Sequence, residues 1–156
     1  DVFTYTIGSE PIRFTTDGSG RLYQIDGWHH AEKWGTWMGD EARLRIKLIP
    51  TPTRPLLLSL ETRAMVGPKV PERTLRIECN SQSCGEFHYS QKNPLQSLQI
   101  ALPSDLVGQD GRLDLRLTVT PQATPKAAGV NEDARSLGIG VSTLCLTEVG
   151  KARLGQ

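Results

Sequence analysis

The chain has 156 residues, is 37% hydrophobic and carries 18 basic against 17 acidic side chains, for a net charge of +1. That is enough apolar material for a single self-sufficient core. The balanced charge argues against nucleic acid or an anionic membrane surface as a partner. No stretch approaches the roughly 20 apolar residues of a membrane span. Asp1 leads directly into strand-like sequence with no basic, apolar signal segment, as a piece trimmed from a longer protein would.

Short strands are expected at 2–6, 11–15 and 21–26, separated by Gly8-Ser9-Glu10-Pro11 and Asp17-Gly18-Ser19-Gly20. The next segment, Gly27 to Trp37, holds all three tryptophans (Trp28, Trp34, Trp37) and two of the three histidines. Trp37 precedes a strong strand and is read as a core residue. Trp28 and Trp34 stand among Asp26, His29, His30, Glu32 and Lys33, so at least one is expected at the surface or in a cleft. If this segment is a strand, alternation puts His30 and Glu32 on the same side as Trp28 and Trp34.

Beyond it, Ala42, Leu44, Ile46 and Leu48 alternate with Arg43, Arg45 and Lys47, the mark of a half-buried antiparallel strand over 42–49. The run 56–64 starts apolar on both faces and then alternates. Strands follow at 72–79, 84–90 and 95–101, and Pro103-Ser104-Asp105-Leu106-Val107 offers one helical turn with Ser104 as its cap. Residues 112–119 alternate again. Pro121 to Arg135 is too polar and too broken by Pro and Gly for a strand, so it is expected to be a long loop. A last strand is expected over 136–149.

Cys79 and Cys84 bracket Asn80-Ser81-Gln82-Ser83, a four-residue loop between two strand-like runs. Facing positions of such a hairpin lie about 4.5 to 5.5 Å apart between Cα atoms, which a disulfide tolerates. The two cysteines fall in opposite phases of the alternation, so a bulge is needed to bring them together. A disulfide here favours an oxidising, periplasmic or extracellular compartment. Cys145 alternates in step with Ile139 and Val141 and reads as an inert core thiol.

The sequence has no nucleophile elbow of the Gly-x-Ser-x-Gly kind. Paired carboxylates on separate strands could still hydrolyse a glycoside without leaving a spacing signature. His30 and Glu32 are metal-ligand types, but two ligands do not make a transition-metal site. A structural calcium on Asp side chains and loop carbonyls would leave no signature either. Indole faces stack on the C–H faces of sugar rings, while His30, Glu32 and Asp133 exchange hydrogen bonds with hydroxyls, so the segment points to glycan binding.

Gly27-Trp28, Glu32, Trp34-Gly35 and Trp37 resemble the Gly-Trp-x-x-x-Glu-x-Trp-Gly-x-Trp signature of a β-sandwich domain in bacterial cell-envelope proteins. Asp133-Ala134-Arg135-Ser136-Leu137-Gly138-Ile139 is similar to the same domain's Asp-x-Arg-x-Leu-Gly-Ile motif. The chain departs from the pattern at His29-His30-Ala31, where the family tends to have a small or polar residue and then Pro. The resemblance implies a position at the C-terminal end of phosphoglycerol transferase-like or membrane glycosyltransferase-like proteins. It also implies an envelope or periplasmic location and an enzymatic domain of the parent chain as neighbour. Glu32 and Arg135 are expected to join the two motifs as a bidentate ion pair.

The resulting expectation is an all-β fold, an antiparallel, jelly-roll-like and carbohydrate-binding-module-like sandwich. One domain is expected over 1–150, with a tail at 151–156. Its expected role is a non-catalytic accessory domain binding an envelope glycan. Trp28 and Trp34 would stack, and His30, Glu32, Asp133 and Arg135 would make polar contacts. An interaction module using the same patch, and a small glycan-active enzyme, are the alternatives.

Overall fold

A computed structural model of the chain describes residues 2–150; the expected tail at 151–156 lies outside the described residues. Strand-forming alternation becomes ten strands: β1 (Thr4–Thr6), β2 (Ile12–Arg13), β3 (Gln24–Trp28), β4 (Thr36–Ile49), β5 (Leu56–Ala64), β6 (Glu72–Cys79), β7 (Gln82–Ser90), β8 (Leu95–Leu102), β9 (Arg112–Thr120) and β10 (Ile139–Glu148). They run in the order β7-β6-β9-β4-β10-β5-β8, with β1 and β3 on β4 and β2 on β10. All pairings are antiparallel except that of β1 with β4.

The order folds into two layers because β4 belongs to both. Its first residues, Thr36 and Trp37, pair with Val141 and Gly140 of β10, whereas Glu41–Lys47 pair with β9. Inward side chains of both layers meet in one core that includes Leu44, Ile46, Leu58, Leu75, Leu115 and Leu144. Each buried Leu or Ile contributes roughly 1.5 to 3 kcal/mol. The chain is therefore an antiparallel β-sandwich, as the alternation predicts.

Local departures have local causes. Residues 20–23 form a 3-10 turn, so the strand expected at 21–26 starts at Gln24. The expected turn near 103–107 is a 3-10 turn over Ser104–Leu106, which Ser104 enters rather than caps. The long loop after β9 contains one helical turn, α1 (Pro125–Ala128), capped by the Thr124 hydroxyl accepting from Ala127 N.

The Cys79–Cys84 hairpin turns through two residues rather than four, with Asn80 and Ser81 at φ 47° and 68°. Asn80 holds the turn by donating its amide to the carbonyls of Leu106 and Arg112. A register shift leaves Cys84 as the extra residue between Ser83 and Gly85, and this bulge swings it towards Cys79. The two cysteines are disulfide-bonded, with Cα atoms 6.1 Å apart.

A second bulge corrects the reading of Cys145. The β5–β10 register shifts between Val141 and Thr143, which reverses the phase of β10. Leu144 and Leu146 then fill the core, and Cys145 stands half-buried on the outer side beside Ser59.

Candidate functional site

The tryptophan segment does not continue as a strand, so the alternation expected to gather Trp28, His30, Glu32 and Trp34 does not operate. Strand β3 ends at Trp28, and residues 29–35 form a loop that re-enters β4. Gly27 permits this path: its φ is 87°, and a Cβ there would lie 2.1 Å from the Glu41 carbonyl oxygen. The three indoles consequently take different environments.

Trp28 is half-buried. One face stacks on Phe14, with centroids 5.8 Å apart and planes 17° apart, and its Nε1 donates to the Arg43 carbonyl at 3.1 Å. Trp37 is also half-buried and packs on a satellite cluster of Met65, Ala123, Ala128 and Leu137 rather than on the main core. Trp34 meets Trp37 edge-on at 5.1 Å and lies over the bare backbone of Gly140, where a Cβ would come within 2.3 Å of the ring. The guanidinium carbon of Arg63 sits 3.7 Å from the centre of the Trp34 ring, well within cation–π range.

Trp34 thereby walls a cleft of about 260 Å³ on the outer side of β10, β5 and β8. Glu61, Arg63, Gln96, Ser97 and Ser142 supply its polar groups, with Leu95 and Gly140 as apolar neighbours. Strand register places them: Gly140 pairs with Arg63 and Arg63 with Leu95, while Glu61 pairs with Ser97. The Ser97 hydroxyl donates to Glu61 Oε1 at 2.6 Å. Beneath the cleft, the Thr62 hydroxyl donates to the Gln96 carbonyl and lies 2.6 Å from the Tyr89 hydroxyl. Burial pushes that phenol up to about 12, so it stays a neutral donor. Leu95 is 69% exposed, an apolar side chain presented at the rim.

Of the residues expected at a site, Trp34 alone lines this cleft. Glu32 is adjacent, its Oε1 3.4 Å from Trp34 Nε1, and His30 is exposed on the loop. Asp133 and Arg135 lie in the loop before β10. The expected Glu32–Arg135 ion pair is not formed: Arg135 commits its guanidinium to Asp133 (Nη2–Oδ2 2.7 Å) and feels Glu32 only through space. The shorter reach wins, because Asp133 is two residues away and also accepts from the Arg135 backbone N–H at 2.9 Å. The Arg135 side-chain and backbone hydrogen bonds pull the Asp133 carboxyl down to about 2.

The two sequence motifs are tied together by groups that spacing did not single out. His29 Nε2 lies 2.8 Å from the Ser136 carbonyl, and the Ser136 hydroxyl donates to Asp40 Oδ2 at 2.5 Å. Asp40 Oδ1 is 3.7 Å from Arg73, whose fully buried guanidinium donates to the carbonyls of Met65, Pro121 and Leu137. One arginine thus pins the β5–β6 loop and both ends of the β9–β10 loop at the end of the sandwich that carries the tryptophan segment. A signal for it is present in the sequence: Arg73 shares the inward phase of Leu75, Ile77 and Cys79.

A second hollow, of about 200 Å³, lies on the other outer face among Ile25, Arg43, Arg45, Glu78, Asp114 and Arg116. Its charged groups already bond one another or close neighbours: Arg43 with Asp26, Arg45 with Asp114, Arg116 with Glu41. Among the described residues no group of three or more His, Cys, Asp or Glu is close enough to hold a metal ion.

No protein-family model matches the sequence, and no curated protein matches it. The fold does have relatives. A family 35 carbohydrate-binding module from Clostridium thermocellum has a TM-score of 0.51 at 11% identity, over 90% of this chain and 100% of that one. A family GH115 4-O-methyl-alpha-glucuronidase with specificity for decorated arabinogalactans also has a TM-score of 0.51, at 10% identity. That match covers 91% of this chain but 16% of the enzyme. A CBM36 domain of a multidomain xylanase, from the hindgut metagenome of Trinervitermes trinervoides, has a TM-score of 0.46 at 9% identity, over 92% and 89% of the two chains. At these identities the likeness to the first two is one of fold alone, and the first shows that this β-sandwich is one a carbohydrate-binding module adopts.

Proposed function

We propose that this sandwich binds a glycan in the Trp34 cleft and serves as a non-catalytic accessory domain of a larger protein that makes or modifies a bacterial envelope glycan. The observation that carries the reading is the composition of the cleft. An indole and Leu95 offer flat apolar surface to the C–H face of a sugar, beside a carboxylate, a guanidinium, an amide and hydroxyls that can exchange hydrogen bonds with its hydroxyls. The volume of about 260 Å³ is just below the usual range of ligand sites, which suits one unit of a longer chain.

The fold shared with a carbohydrate-binding module supports the first half of this reading. The resemblance of the Gly27–Trp37 and Asp133–Ile139 motifs to the envelope domain supports the second. On that reading the domain neighbours the catalytic part of a phosphoglycerol transferase-like or glycosyltransferase-like parent. The Cys79–Cys84 disulfide fits the periplasmic or extracellular side of the envelope.

Calorimetric titration or a glycan array with periplasmic glucans and other envelope polysaccharides tests the proposal. Binding is expected for the native chain, and Trp34→Ala should weaken it about tenfold or more, equivalent to about 1.4 kcal/mol. No binding to any glycan, together with self-association that rises with concentration, would reject it in favour of a protein-interaction module.

A further inference from the structure

Resting on the glycan reading of the Trp34 cleft, we infer that the preferred ligand carries an anionic substituent, a carboxylate or a phosphate, and that Arg63 is the residue that selects it. Among the described residues, Arg63 has no ion pair and no hydrogen bond from its guanidinium; it is held by the indole beneath it. Neither acid of this region forms an ion pair with it. Glu61 accepts from the Ser97 hydroxyl, and Glu32 lies against Trp34 Nε1.

Arg63 is a half-buried residue lining the cleft, and its guanidinium has no protein acceptor among the described residues, so its charge and N–H donors face the space a ligand would occupy, where an oxyanion gains a charge-assisted bond that a neutral group does not. Its contact with Trp34 is made by the guanidinium carbon over the ring and uses none of its N–H donors on a protein acceptor, which leaves the fork free for a bidentate oxyanion. A neutral hydroxyl could satisfy one or two of those donors but not the charge. Glu61 complements this, because its carboxylate can accept from ring hydroxyls while Arg63 holds the anionic group. The division orients an acidic sugar unit and leaves a neutral one with a single strong contact.

The test uses the full chain and three soluble probes: an unsubstituted glucan oligosaccharide, a glucuronate-bearing oligosaccharide and a phosphoglycerol-substituted glucan. Each is titrated against the native protein, Arg63→Gln and Arg63→Lys, at low and high salt. At least one anionic probe should bind the native protein about tenfold or more tightly than the neutral one, with a preference that shrinks as salt rises. Arg63→Gln should level the anionic and neutral probes, and Arg63→Lys should keep part of the preference. Which anionic probe wins separates a uronate from a phosphate.

Equal affinity for neutral and anionic probes, or a preference that Arg63→Gln leaves intact, overturns the inference while leaving the glycan reading in place. Failure of all three probes and of every glycan on an array overturns both. Tryptophan fluorescence and the melting temperature of the two variants establish that Trp34 and the fold are kept, so a levelled preference reports on charge.

Discussion

On the outer side of β6, β9 and β4, every arginine in the ladders meets an acid: Arg76 faces Glu86, Arg43 faces Asp26, Arg45 and Arg112 share Asp114, and Arg116 faces Glu41 and Glu78. On the outer side of β10, β5 and β8, Arg63 meets an indole; the positions around it are Glu61, Gln96, Ser97, Ser142, Leu95 and Gly140, and the one acid among them, Glu61, bonds Ser97 rather than the guanidinium. Both faces belong to sheets of the same pleat and alternation, yet a charged face is not by itself a binding face. Where donors and acceptors satisfy each other, a ligand gains little, and where a cation is held by a ring with its donors free, there is something left to recognise.

The largest effect should come from below both faces. Arg73→Met removes the guanidinium that joins Met65, Pro121 and Leu137 and leaves Asp40 without its cation, so a loss of about 3 to 5 kcal/mol is expected in denaturant unfolding. A near-neutral result would mean that the end loops hold themselves.

Next is the disulfide of the β6–β7 hairpin. Cys79→Ser with Cys84→Ser should cost about 2 kcal/mol, near the low end for a disulfide because the closed loop is short. Glycan affinity should be unchanged, since the hairpin lies on the ion-paired sheet; a parallel loss of binding would break the separation of the two faces.

A smaller and opposite signature is expected from Gly140→Ala. Its new Cβ would press on Trp34, so affinity for the glycan should fall about tenfold while the melting temperature moves little. Unaltered binding would argue that Trp34 is not the wall of the site.

The smallest effect belongs to the ladders. Burial raises the Asp114 carboxyl, but the hydrogen bonds from Arg45 and Arg112 outweigh it and hold the group below its ordinary value. A carboxylate depressed in the folded state contributes stability that is present above its unfolded pKa of about 3.9 and is lost as pH falls through its folded value. Asp114→Asn should therefore cost less than about 1 kcal/mol at neutral pH, the usual worth of a solvent-screened pair, and flatten that acid limb. Glycan affinity measured beside it should not change.

How legible each feature is depends on what its residues are coupled to. The strands over 42–49, 56–64 and 112–119 are readable because period-two alternation is imposed locally by the pleat. Cys145 escapes the reading because the bulge between Val141 and Thr143 inserts one residue against β5, an event that the β10 sequence does not announce. The loop from His29 to Gly35 defeats alternation in the same way, by leaving the strand at Trp28. Arg73 is readable in principle, as an arginine in an apolar phase, whereas Glu61 and Arg63 sit at ordinary outward positions with nothing to set them apart.

The class of fold, the sandwich core and the neighbourhood of Cys79 and Cys84 follow from the order of the residues alone, because burial and hairpin closure act between positions close in the chain or repeated in phase. Which tryptophan walls a cleft, what Arg135 pairs with and which residues face Trp34 are settled only when the sheets assemble. Those outcomes depend on register between β5, β8 and β10 and on loops brought together from far apart in sequence. Alternation fixes which side of its own strand a residue faces, and it carries no information about what another strand places opposite.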